Sequence, residues 1–146
     1  MRHQKKAIQF SRPRKESDRL VRNLLANIIL YEKVKTTPSK AKKLRGKLDK
    51  LINIGKKGDL ASYRQLLSFF YIKEPAKKIT EDLSVRYADK TSGFSRIILL
   101  GNRKGDGAKM AIWELVEGNK KSIEKAETEN KKEKKSEVKI KIKKQK

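Results

Sequence analysis

Charge leaves only the middle of this chain free to build a core. Residues 1–15 hold Arg2, Lys5, Lys6, Arg12, Arg14 and Lys15 and no acidic residue, and an uncompensated basic segment of this kind cannot collapse on itself. At the other end, residues 119–146 hold 12 Lys and 5 Glu. Their apolar side chains, Ile123, Val138, Ile140 and Ile142, are too sparse to offset the entropy of ordering. The sequence therefore predicts a basic N-terminal arm over residues 1–16, a globular body over 17–117, and a Lys/Glu-rich extension over 118–146 that is disordered in isolation. A body of that length supports one core rather than two. The alternation of Val138, Ile140 and Ile142 can also seed a strand on a partner.

The whole chain carries 40 Lys+Arg against 17 Asp+Glu, a net charge of +23. A balance so basic favours nucleic acid or an anionic membrane surface as partner and says nothing about fold. Other classes are narrowed by what the composition lacks. Cysteine is absent, which removes disulfides, thiol chemistry and Cys-ligated zinc. The single histidine, His3, lies in the arm and has no second histidine with which to build a metal site or a triad. No apolar run approaches the length of a membrane span. The N-terminus lacks the serines and the apolar face of a transit peptide, and an amphipathic basic helix with an exposed Trp or Phe, the signature of a membrane-surface protein, is missing. Acidic residues are scattered rather than clustered as a magnesium-dependent nuclease requires, and Asp106 among basic neighbours reads as a turn residue. No enzyme activity, cofactor, metal or small-molecule substrate is expected.

Within the body, Leu20, Val21, Leu24, Leu25, Ile28 and Ile29 recur at the spacing of one helix face. Ser17 is the expected N-cap of this helix, with Asp18 in its first turn. Lys33, Val34, Lys35, Thr36 and Thr37 alternate with β-branched residues and predict a short strand. A second helix starts with Thr37 as cap and Pro38 as its first residue, buries Ala41, Leu44, Leu48, Leu51 and Ile52, and stops at Gly55. Asp59 caps a third helix with Leu60, Tyr63, Leu66, Leu67 and Phe70 as core residues. A fourth follows Pro75 with Ile79, Leu83 and Tyr87 inward. The cluster Tyr63, Phe69, Phe70 and Tyr71 suggests base stacking, but at helical spacing such residues more often fill a core. From Gly93 the pattern turns to strands, 94–100 and 110–116, joined by a long, basic, flexible loop over 101–109. A strand follows this glycine-rich loop, whereas a nucleotide-phosphate loop is followed by a helix.

The cations outside the core fall into separate groups. Arg19, Arg22, Asn23 and Asn27 form a polar strip beside the apolar face of the first helix. Lys40, Lys43, Lys47 and Lys50 form a stripe on the second, where Asp49 is the only acid between residues 39 and 57, so intrahelical ion pairs do not account for it. Arg103, Lys104 and Lys109 stand in the loop. Groups of this kind neutralise phosphates without reading sequence. A folded body with basic extensions suits a large structured RNA, whose crevices order such extensions, better than a regular duplex. A free-standing nucleoid-type protein, dimeric on duplex DNA, has the same chemistry and stands as the alternative.

Several strings carry a resemblance. Met1-Arg2-His3, Arg22-Asn23-Leu24, Lys35-Thr36-Thr37 followed by Lys40-Ala41-Lys42, Arg86-Tyr87-Ala88-Asp89, Gly93-Phe94-Ser95-Arg96-Ile97, Arg103 through Gly105-Asp106, and Met110-Ala111 with Glu114-Leu115-Val116 occur in the order found in the bacterial large-subunit ribosomal protein L17 family. The chain resembles that family over residues 1–116. The resemblance implies an α+β fold, two layers in the order helix, strand, three helices, two strands. It also implies a non-catalytic structural constituent of the large ribosomal subunit in the bacterial cytoplasm. The implied partners are large-subunit ribosomal RNA near the peptide exit tunnel and neighbouring large-subunit proteins, with no membrane. By position, the implied RNA contacts are Arg2 and His3, Arg22 and Asn23, the segment from Thr36 and Thr37 to Arg45, Arg96, and Arg103 with Lys104. Together with the basic groups read from the residues, the expected RNA-binding set is Arg2, His3, Lys5, Lys6, Arg12, Arg14, Lys15, Arg19, Arg22, Asn23, Lys35, Thr36, Thr37, Lys40, Lys43, Arg45, Arg96, Arg103, Lys104 and Lys109. Asp18 departs from the family, which often has a basic histidine there, and the extension after Gly118 is an addition to it.

Overall fold

The first helix opens earlier than its apolar stripe. In a computed structural model, which describes residues 10–116, α1 spans Arg14–Tyr31 with Pro13 as its N-cap. Ser17, the expected cap, lies inside the first turns and is buried. Its Oγ donates to the Arg12 carbonyl at 3.3 Å and its N–H to the Pro13 carbonyl at 3.0 Å. Pro13 has no N–H to orphan and a fixed φ, so it can initiate the helix without a side-chain cap. Of the face expected to pack, Val21, Leu25, Ile28 and Ile29 are buried and Leu20 and Leu24 half-buried, and Ala26 joins the buried set. The expectations for Arg2, His3, Lys5 and Lys6 in the arm, and for the C-terminal extension with its Val138 alternation, concern residues outside the described range.

Strand β1 (Lys33–Thr36) leads directly into α2 (Pro38–Gly55), capped by Thr37 with Pro38 at its first position. The Thr37 carbonyl accepts from the N–H groups of Lys40 and Ala41. All five residues expected to form the stripe of α2 are buried. Gly55 ends the helix as expected, but not through a left-handed conformation, since Gly58 carries the positive φ of 71° three residues later. Gly55 is instead a point of close approach. A Cβ there would lie 2.2 Å from Cγ2 of Ile79, so only glycine lets these two segments meet.

Helix α3 (Leu60–Phe70) buries Ser62, Leu66 and Phe70, one i, i+4, i+8 stripe. Leu60, expected in the core, is 64% exposed. It is the first residue of the helix and lies off that stripe. The fourth helical run is α4 (Lys73–Lys78), a π-helical turn (Ile79–Leu83) and α5 (Ser84–Arg86) in unbroken succession. It starts two residues before Pro75, which the first turn accommodates because an N–H there has no helical partner. The Thr80 hydroxyl donates to the Ala76 carbonyl at 3.1 Å and the Ser84 hydroxyl to the Thr80 carbonyl, while the Ser84 N–H reaches back to Ile79. Hydroxyls that occupy carbonyls in this way loosen the α-helical ladder, and a single wide turn is the result. Ile79, Leu83 and Tyr87 all remain buried.

Strands β2 (Ser95–Asn102) and β3 (Lys109–Leu115) complete one antiparallel sheet in the order β1, β3, β2. The register pairs Val34 with Trp113 and Trp113 with Ile97, which places these three on one face. They join the core with α1 and α2 packed against the sheet, so the α+β, two-layer architecture is present in the order expected. Inside it, Trp113 Nε1 donates to Ser95 Oγ at 3.0 Å and the Tyr87 hydroxyl to the Val116 carbonyl. The hairpin is longer and its loop shorter than the sequence suggested. Asn102 pairs with Lys109 across a register irregularity after Leu99, leaving a tip of residues 103–108.

Candidate nucleic-acid interface

The polar strip of α1 is solvent-facing because its opposite face is consumed by the core. Arg12, Arg14, Lys15, Arg19 and Asn23 are exposed and Arg22 is half-buried. Two open clefts run along it. One is lined by Arg12, Glu16, Arg19, Leu20, Asn23, Leu24 and Asn27, the other by Lys15, Glu16, Asp18, Arg19 and Arg22. Arg19 and Glu16 are common to both. Asp18 adds a second carboxylate to the second cleft, diluting its positive charge.

The lysine stripe of α2 is tied to aromatic rings. Lys43 Nζ lies 5.2 Å from the Phe10 ring centroid and Lys47 Nζ 4.8 Å from that of Phe69. Each ammonium group thus sits against a ring face, which attracts its charge. Phe10 packs against the core, which brings the root of the N-terminal arm beside this stripe. Lys35, Lys43 and Arg45 are exposed, and Thr37 and Lys40 half-buried. Thr36 is the exception: it is buried at 7% exposure, because strand alternation turns it to the side of Val34 that packs inward. Its side chain is therefore turned away from solvent in the free protein.

Arg96 and the loop cations are partly neutralised within the protein. Glu114, at 4% exposure on the central strand, sits in register between Lys33 on one side and Arg96 on the other. It pairs with Arg96 through its Oε1 and with Lys33 at 3.6 Å. The Arg96 hydrogen bond, with the Lys33 charge behind it, holds the Glu114 carboxyl below the ordinary carboxylate range. At the hairpin tip, Arg103 Nε donates to Asp106 Oδ1 at 2.9 Å and its Nη2 to Oδ2. The same carboxylate accepts the Ala108 N–H at 3.3 Å, and the Arg103 hydrogen bonds lower the pKa of Asp106 to about 2. Gly105 and Gly107, with φ of 106° and 63°, allow the chain to fold back over this pair. Asp106 is thus a turn residue as expected, but the loop is cross-tied, and Lys104 and Lys109 are its exposed cations without an acidic partner among the described residues. From Ile98 to Gly107 every residue is exposed, so the hairpin projects beyond the helical layer.

One charged cluster is not legible in the sequence as such. Glu32, which ends α1 in a left-handed conformation with φ 62°, accepts Lys78 at 2.9 Å and Arg86 at 3.1 Å, and Arg86 also holds Asp82 at 2.9 Å. Lys78 further donates to the Leu30 carbonyl at 3.0 Å. The cluster fastens the end of α1 to the fourth helical run. In the sequence Arg86 stands out only as part of a string. Its spacing of four from Asp82 is the local signal for half of this network, whereas Glu32 is far away in sequence. Among the described residues no three of His, Cys, Asp and Glu gather as a metal site, and no helix is long and apolar enough to cross a membrane.

The body that carries these surfaces matches known proteins. Residues 20–116 match the family model for ribosomal protein L17. The large ribosomal subunit protein bL17 of Dehalococcoides mccartyi is 41% identical over 116 residues, covering 80% of this chain and 99% of the relative. That of a Hydrogenobaculum species is 42% identical over 118 residues, covering 80% and 100%. That of Caldanaerobacter subterraneus is 38% identical over 108 residues, covering 74% and 96%. With its two-layer body matched almost from the first buried residue of α1 to the end of β3, the chain belongs to the ribosomal protein L17 family.

Proposed function

We propose that this ribosomal protein is a non-catalytic constituent of the large ribosomal subunit in the bacterial cytoplasm, binding large-subunit ribosomal RNA near the peptide exit tunnel. The observation that carries the proposal is the set of exposed cations, on the strip of α1 and on α2, that the fold leaves without acidic partners on a body matching the family. Arg12, Arg14, Lys15, Arg19, Arg22 and Asn23 supply one contact surface, Lys35, Thr37, Lys40, Lys43 and Arg45 a second, and Arg96, Lys104 and Lys109 a third, with Arg103 held by Asp106. Arg2, His3, Lys5 and Lys6 extend the set along the arm. Such contacts position RNA by its backbone rather than by its sequence, and neighbouring large-subunit proteins complete the environment.

Sedimentation of a cell lysate through a sucrose gradient, at moderate and then high salt, tests this. The protein is expected to co-migrate with large subunits and to survive the high-salt wash. A protein that runs free or follows DNA would reject the proposal in favour of the nucleoid-type alternative. Neutralising Arg2, Lys5, Lys6, Arg12 and Arg14 together is expected to weaken association with subunits while leaving the thermal transition of the free protein within a few degrees of wild type. A large loss of thermal stability would instead show that the arm is part of the core.

A further inference from the structure

Three aromatic residues in a row close α3, and the fold separates them. Phe70 is buried and Phe69 packs edge-on against it with ring centroids 4.9 Å apart. Tyr71 is 73% exposed. It sits just past the helix with φ 60° and ψ 0°, its N–H donating to the Leu67 carbonyl at 2.8 Å. That left-handed position is the one glycine fills without strain and a bulky aromatic residue occupies at a cost. The strained backbone sends the ring away from the core and towards α1, where the Arg22 guanidinium lies 4.5 Å from its centroid. Arg22 lines the same cleft as Lys15 and Arg19, three cations against the two carboxylates of Glu16 and Asp18. An exposed cation–π contact returns less than a left-handed aromatic residue costs, so the free protein gains little from this arrangement.

We propose that Tyr71 is a stacking platform for one unpaired nucleobase of the bound RNA. Arg22 fixes the ring, and Arg19 and Lys15 hold the phosphates that flank the nucleotide. The inference rests on the RNA-binding reading and deepens it: the α1 surface takes a splayed, single-stranded nucleotide rather than a helical backbone alone. Unstacked bases laid on aromatic rings are the common mode of single-strand recognition, and the ring accepts any base because every base has a π-face.

The test uses large subunits that carry the full-length wild-type chain or Tyr71→Phe, Tyr71→Leu or Tyr71→Gly, probed by 2′-hydroxyl acylation and base methylation of their RNA. One nucleotide is expected to gain reactivity by about 5-fold or more in Tyr71→Leu and Tyr71→Gly, the scale of one lost stack, and to stay protected in Tyr71→Phe. Thermal denaturation of the free proteins separates a structural role from a binding one. Tyr71→Gly relieves the left-handed strain and is expected to melt at or above the wild-type temperature while losing the protection. A lower melting temperature with no nucleotide affected would overturn the proposal. So would unchanged reactivity in every variant with all of them present on subunits, and in that case the RNA-binding reading would stand. Absence of the wild-type protein from subunits would remove both.

Discussion

Replacing Gly55 by alanine adds one methyl group where two segments touch. The new Cβ would stand 2.2 Å from Ile79 Cγ2 and 3.6 Å from the Ile79 carbonyl carbon. Neither partner has room to yield, because Gly55 is buried and Ile79 is 0% exposed. Overpacking of this kind costs about 1–3 kcal/mol. Alanine's better helix propensity offsets up to about 1 kcal/mol of that in a helix interior and less at a last turn. A net loss of about 1–2 kcal/mol is expected, which lowers the urea midpoint by roughly 1 M for a domain of this size. Urea titration followed by the fluorescence of Trp113, the only tryptophan and fully buried, reads it directly. The double variant decides the cause. Ile79→Ala alone costs about 2–5 kcal/mol by leaving a cavity, but it removes the methyl that the added Cβ of Gly55→Ala would strike. The two losses should therefore fall short of additivity by about 1 kcal/mol or more. A Gly55→Ala protein as stable as wild type, or losses that simply add, would refute the close-approach account.

Two further outcomes follow from the charge network. The Arg86 hydrogen bond, opposed by partial burial and aided by Lys78, holds Glu32 below its ordinary value of 4.5. A depressed carboxylate contributes stability above the unfolded value and loses it as pH falls through the folded one, so Glu32→Gln should lower the melting temperature at pH 7 and flatten its decline towards pH 3. Melting curves that shift in parallel across that range would show that Glu32 does not titrate as described. At the hairpin tip, Asp106→Asn frees Arg103 from its carboxylate and should tighten RNA binding, with the salt-dependence slope steeper by about 0.7–0.9 for one added phosphate contact. An unchanged slope would place Arg103 away from RNA.

What could be read before the structure was whatever depends on near neighbours in sequence. The stripes of α1 and α2 were legible because a 3.6-residue period needs only one chain segment to be recognised. Thr37-Pro38 announced a helix start because a missing N–H matters only at that turn. Asp106 read as a turn residue because its partners, Arg103 and Ala108, are within three positions. Expectations failed where two local signals compete. Ser17 is a cap by residue type, but Pro13 starts the helix a turn earlier, and Leu60 is apolar, but the buried stripe of α3 runs through Ser62 and Leu66. Thr36, expected among the RNA contacts, is turned inward by the alternation of β1.

Sequence alone determined that this chain has a basic body of helix, strand, three helical runs and two strands, and that it carries no cysteine and a single histidine, His3. Both conclusions follow from composition and period, which are properties of the chain before it folds. Only the tertiary structure decided which cations remain unpaired. Arg96 is drawn to Glu114 because β3 lies between β1 and β2, and Arg86 to Glu32 because the fourth helical run meets the end of α1. It also decided that Gly55 serves Ile79 and that Tyr71 faces Arg22. Ion pairing and close packing depend on distances of a few ångströms between segments remote in sequence, and those distances exist only once the layers have closed.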